Sequence, residues 1–73
     1  MGKWFHTFHP ETGRIEYQGK VVSNDGRRIR AQLFSWITGL PTDIRTFPAE
    51  DAELWRFYQT EQAWRGAGDR AFL

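Results

Sequence analysis

A mainly β domain is predicted by three features of the sequence. They are aromatic-rich runs in which apolar and polar residues alternate, a hairpin signal at Asn24-Asp25-Gly26, and a helical pattern confined to the C-terminal end. Strands and helices do not alternate, so nothing points to a parallel sheet.

The elements follow in order. Lys3 to Phe8 alternates and is rich in aromatics, as a first strand would be. His9-Pro10-Glu11-Thr12-Gly13 is a turn, with proline fixing φ and glycine free to take a positive value. Arg14 to Ser23 is a second strand with Ile15, Tyr17 and Val21 on one face; Gly19 in its middle marks a bulge or sharp bend. Asn24-Asp25-Gly26 suits a primed turn and sets the register with the third strand. In that strand Ile29, Ala31 and Leu33 alternate with Arg28, Arg30, Gln32, Phe34 and Trp36. Ile37 to Pro41 breaks the pairing, and Thr42 to Phe47 is a fourth strand ended by Pro48. Pro48 to Glu53 has the proline and acids of a short helix's first turn. Trp55 to Tyr58 is a fifth strand, and Thr60 can cap a helix from Glu61 onward with Trp64, Ala67 and Ala71 on one face. Gly66 and Gly68 each weaken that helix by about 1 kcal/mol relative to alanine, so it needs a surface to dock on.

Five short strands, a bend at Gly19 and a one-turn helix before the last strand are the parts of a small SH3-like five-stranded barrel with a short C-terminal α-helix. The barrel covers about residues 3–58 and the helix about 60–71 of a single domain, 1–73, without linker, repeat or low-complexity run. At 73 residues the stability margin is thin, and with no cysteine neither disulfides nor thiolate-bound zinc can supplement it. Aromatic residues make up 16% of the chain and supply the compensation, each large ring burying roughly 150–250 Å².

The third strand carries the functional expectation. Burying Ile29, Ala31 and Leu33 displays Arg28, Arg30, Gln32, Phe34 and Trp36 as a cationic, aromatic stripe, with Lys20 on the neighbouring strand. Phe34 and Trp36 either stand exposed on that face or are covered by the terminal helix through Trp64, and the sequence leaves both open. Two kinds of partner fit the stripe. In the protein reading Phe34, Trp36, Trp4 and Trp55 are anchors flanked by Arg28 and Arg30. In the nucleic-acid reading Lys20, Arg27, Arg28 and Arg30 meet phosphates, while Phe34 or Trp36 stacks on bases. The net charge of +1 is a weak electrostatic footprint and favours a protein partner or self-association. Charge is still unevenly placed: residues 1–40 carry the cationic excess and residues 41–73 the anionic one.

Tyr17-Gln18-Gly19-Lys20-Val21 and Arg45-Thr46-Phe47-Pro48 resemble two strands of the plasmid-borne type II dihydrofolate reductases, namely the aromatic-Gln-Gly-x-aliphatic and Gln-Ile-Tyr-Pro strands. That resemblance covers at most about half of the chain. It implies an SH3-like fold and a bacterial, mobile-element origin. In that family the Gln-Ile-Tyr triplet contacts folate and NADPH. Arg45, Thr46 and Phe47 stand in those positions here, without the amide or the phenol, so a reductase is the third reading only.

Chemistry elsewhere is sparse. His6, His9 and Glu11 read as polar positions of a strand and its turn rather than metal ligands, and the acids Glu50, Asp51 and Glu53 complement a helix dipole. No phosphate-binding loop or nucleophile triad is present, so the expectation is a non-enzymatic binding module without cofactor or metal. No signal-peptide or membrane-spanning run is visible, and His6 occupies the place a myristoylation motif gives to Ser or Thr. A cytoplasmic protein is the expectation.

Overall fold

A computed structural model describes residues 3–35 and 37–71, the last three of these by backbone alone. The chain forms β1 (Trp4–Phe8), β2 (Ile15–Asn24), β3 (Arg28–Phe34), β4 (Pro41–Pro48), a 3₁₀ turn (Ala49–Leu54), β5 (Arg56–Tyr58) and α1 (Glu61–Ala71). The strands make one antiparallel sheet in the order β4-β3-β2-β1-β5. A mainly β domain with a short C-terminal helix is therefore what the chain adopts.

Local chemistry explains the connections. Between β1 and β2, Gly13 at φ 71° donates its N–H to the His9 carbonyl, and the His9 N–H reaches Arg14 at 2.7 Å. At the β2–β3 hairpin the Asp25 carboxylate accepts the N–H groups of Arg27 and Arg28, each at 2.8 Å. Positive φ is confined to Gly26, the first of the two residues between Asp25 and Arg28, so the turn has the sign pattern of a type II′ rather than an Asp-Gly type I′ turn. Pro48 is extended (φ −60°, ψ 137°) and ends β4, so the 3₁₀ turn begins one residue later than the acidic run suggests. Thr60 caps α1 as expected, its hydroxyl accepting the Ala63 N–H at 3.1 Å.

Gly19 is a correction. Register runs unbroken through it, Phe5 on one side and Leu33 on the other; the irregularities lie between His6 and Phe8, Val21 and Ser23, and Gln32 and Phe34. Glycine is needed there because a Cβ would collide with the Gln32 carbonyl oxygen and lie 3.3 Å from Leu33 Cδ2. Both are fixed by the adjoining ladder. Gly19→Ala is expected to cost about 1–3 kcal/mol, the range for overpacking, read as a lowered urea midpoint at unchanged m-value.

One face of the sheet holds the core: Phe5, Ala31, Leu33 and Phe47, with Tyr17, Val21, Trp55 and Phe57 packed against them. Phe5 stacks on Trp55 (centroids 4.5 Å apart, planes at 16°), and Phe47 meets Trp55 edge-on at 5.0 Å. Phe47 lies in β4 and Phe5 in β1, three strand spacings or about 14 Å apart in a flat sheet. Their rings are 6.4 Å apart, so the sheet curls over its core.

Candidate binding face

The opposite face of the sheet is the candidate site. Backbone register sets Tyr58, Trp4, Lys20, Gln32 and Ile44 side by side across all five strands, with His6 and Gln18 in the adjoining row. Arg28, Arg30, Gln32 and Phe34 run along β3 on the same face, alternating with the buried Ile29, Ala31 and Leu33. Helix α1 divides this face in two.

The half under the helix is a second, smaller core. Trp64 is 1% exposed and its ring lies 4.7 Å from Trp4, 5.3 Å from Phe34 and 5.9 Å from His6. Its indole N–H donates to the Phe5 carbonyl at 2.9 Å, which ties the helix to the middle of β1. Gly68, one turn on, lies against His6: a Cβ there would sit 3.4 Å from Nε2. The contact surface of α1 thus joins Trp64 and Gly68, and the glycine that weakens the helix in isolation is what admits His6 beneath it. Gln18 reaches from β2 to the carbonyls of Phe34 and Ser35, at 3.5 and 3.3 Å, and fixes the end of β3.

His6 lies in this layer, fully buried, with Nδ1 hydrogen-bonded to the Tyr58 hydroxyl at 3.0 Å. Its reading as an exposed polar position is corrected, because the covering helix makes a core of a face that a lone strand would leave wet. Burial lowers its pKa to about 4, against which a hydrogen bond with the Gln18 side chain works in part. Neutral at physiological pH and covered by Trp64, it is a structural group. His9 is occupied locally, its Nδ1 accepting the Glu11 N–H at 3.2 Å. Among the described residues no three His, Cys, Asp or Glu side chains converge as metal ligands.

Of the stripe read from the sequence, Phe34 belongs to the covered half, between Trp4 at 5.7 Å and Trp64. Trp36 lies outside the described residues. Trp4 and Trp55, also read as anchors, are partly buried against Trp64 and Phe5 respectively. Arg28, Arg30 and Lys20 are exposed on the open half. Lys20 extends over the Trp4 ring, 5.0 Å from its centroid. Gln32 spends its amide on the carbonyls of Leu33 and Asp43, at 3.1 and 3.2 Å. The one ion pair among the described residues joins Arg65 to Glu61 on α1, so none of the three cations on the open half has a carboxylate within ion-pair distance. Asp25, three residues before Arg28, is held below the usual carboxylate range by the backbone N–H of Arg28 first and of Arg27 second, with the Arg28 charge adding to them, and stays ionised at the hairpin end.

The chain matches no family model, no curated protein and no solved structure. Among the described residues no helix is long and apolar enough to cross a membrane.

Proposed function

We propose that this chain is a small, non-catalytic binding module of SH3-like barrel form, and that it takes a protein partner on the open half of its outer sheet face. The observation that carries this reading is the exposure of Lys20, Arg28 and Arg30 on one face with no carboxylate within ion-pair distance among the described residues, Asp25 acting on the Arg28 charge only at longer range. Arginine in a face of this kind offers planar, bidentate recognition of carboxylates. Exposed Val22 supplies an apolar contact beside the cations, and Lys20, Arg28 and Arg30 supply the charge. The partner is accordingly a segment that presents carboxylates next to apolar side chains.

Nucleic acid fits less well. A single-strand or RNA platform needs free aromatic faces on which bases stack, and Phe34 has its ring engaged by Trp4 and Trp64. The partial resemblance to type II reductases supports an accessory role in a bacterial, mobile-element setting and a cytoplasmic location.

The test is a selection of peptides from a random displayed library, followed by titration of the selected peptides into wild-type protein and the Arg28→Ala/Arg30→Ala variant. Acidic-apolar peptides whose binding falls at least tenfold in the double variant are the expected result. Saturable binding of a short single-stranded or duplex oligonucleotide that weakens steeply with salt and is lost in the same variant would replace the protein reading with the nucleic-acid one. Consumption of NADPH with dihydrofolate by the folded protein would replace both.

A further inference from the structure

Among the described residues the long free edge of the sheet is β4, and its sequence is complementary to itself. Which of its backbone groups point outward follows from the ladder. The Val21 N–H donates to the Lys3 carbonyl at 2.8 Å, so Val21 bonds toward β1 and its neighbour Lys20 toward β3. Gln32, the partner of Lys20, turns its carbonyl to β2, where it blocks a side chain at Gly19. Ile29 and Ala31 therefore bond to β4 through Phe47 and Arg45, and the alternate residues Ile44 and Thr46 direct their N–H and C=O groups out of the sheet. Ala49, donating to the Arg27 carbonyl at 2.9 Å, keeps the same parity.

We propose that two copies of this chain pair through β4 as antiparallel strands centred on Ile44, giving a two-fold dimer with one continuous sheet. At that centre Ile44 faces the partner's Ile44, and the two exchange both backbone hydrogen bonds. Ile44 is 53% exposed in the monomer and is covered in the pair. Asp43 then stands opposite the partner's Arg45, and Arg45 opposite the partner's Asp43. Both are non-hydrogen-bonded pairs, in which Cα atoms approach to about 4.5 Å and side chains are closest. The irregularity of β4 between its Gln32↔Ile44 and Phe34↔Pro41 pairs places Thr42 and Asp43 together opposite Leu33, so regular pairing with the partner ends at Asp43.

No neighbouring register does this. A shift of one residue sets Ile44 against the partner's Arg45 or Asp43; a shift of two sets Arg45 against Arg45 or Asp43 against Asp43. In the monomer Arg45 turns back across the sheet, its guanidinium over the Tyr17 ring at 4.8 Å and donating to the Tyr17 hydroxyl at 2.6 Å, so it exchanges this contact with β2 for the partner's Asp43 on pairing. Asp43 is exposed and has no ion pair among the described residues. Pro48 has the outward parity but no N–H to give, so pairing stops there. An eight-residue edge with an exposed Ile at its centre is an aggregation hazard unless something covers it, and this pairing covers it with a defined, closed partner.

Sedimentation velocity of the full chain, from low micromolar to near-millimolar concentration, tests the pairing. The expected result is a reversible monomer–dimer equilibrium that Asp43→Arg and Arg45→Asp each weaken at least tenfold. Mixing those two variants restores it, because the heterodimer regains both opposite-charge pairs. Ile44→Pro removes an outward N–H while leaving the bonds to β3, and is expected to give monomer with a wild-type circular dichroism spectrum. A monomer at every concentration would overturn the proposal. So would a dimer indifferent to the charge variants, which would pair through another face, or two charge variants that fold but do not restore association when mixed.

Discussion

Replacing Trp64 by alanine is expected to cost about 3–5 kcal/mol, the range for removing a buried Trp or Phe side chain. Total stability for a chain of 73 residues is about 4–11 kcal/mol at typical values per residue, so the variant stands near or beyond its unfolding threshold. The size of the effect follows from position. Trp64 is the one fully buried side chain α1 contributes among the described residues, it touches Trp4, Phe34 and His6, and its N–H holds the Phe5 carbonyl. Trp64→Phe retains part of the packing and loses the indole hydrogen bond, while the Phe5 carbonyl keeps its ladder bond from Gly19; a cost of about 0.5–1.5 kcal/mol is expected from the lost hydrogen bond alone. Urea unfolding followed by far-ultraviolet circular dichroism separates the three proteins. A Trp64→Ala variant as stable as the wild type would show that the helix does not cover this face in solution.

Acid is expected to destabilise the fold through His6. Its pKa is about 4 in the folded state against 6.5 in an unfolded chain. Between these values the unfolded state binds the proton and the folded state does not, so stability rises with pH across the window. The contribution is fully present above pH about 6.5 and is lost progressively as pH falls toward 4. At 1.36 kcal/mol per pH unit the shift corresponds to about 3 kcal/mol. His6→Gln cannot take up this proton. The difference between wild type and His6→Gln in urea unfolding free energy, followed from neutral pH to pH 4, should therefore shrink as the wild type loses its advantage. Parallel profiles would show that His6 is hydrated or already charged in the folded protein.

Much of the architecture was legible because the strands here signal themselves locally. The alternation of Ile29, Ala31 and Leu33 with Arg28, Arg30 and Gln32, the hairpin residues 24–26 and the Thr60 cap each act over a few positions, and each element formed within two residues of where those signals place it. Gly19 was harder to read. A glycine in a strand reports a need for space without saying whether the cause is a bulge or a neighbouring carbonyl, and here it is the carbonyl of Gln32. The second core was legible in part: cover of Phe34 by the terminal helix through Trp64 was one of two readings the sequence left open, whereas His6 read as exposed. Period-two alternation assigns one face to the interior and the other to water, but α1 returns to cover part of the second face, which turns His6 and Phe34 inward and leaves Arg28 and Arg30 outside. Four tryptophans in so short a chain were the available sign that two apolar layers had to be filled.

The division of that face is the basis of the proposed function, and one measurement addresses it directly. Amide-resolved NMR of the labelled protein, recorded while a library-selected acidic-apolar peptide is added, reports which backbone positions respond. The expected result is a set of shifted resonances at Lys20, Arg28, Arg30 and Gln32, with Trp64 and the core strand positions Phe5 and Leu33 unchanged. Shifts confined to a different surface, or spread through α1 and the core while the Arg28–Gln32 segment stays silent, would contradict it.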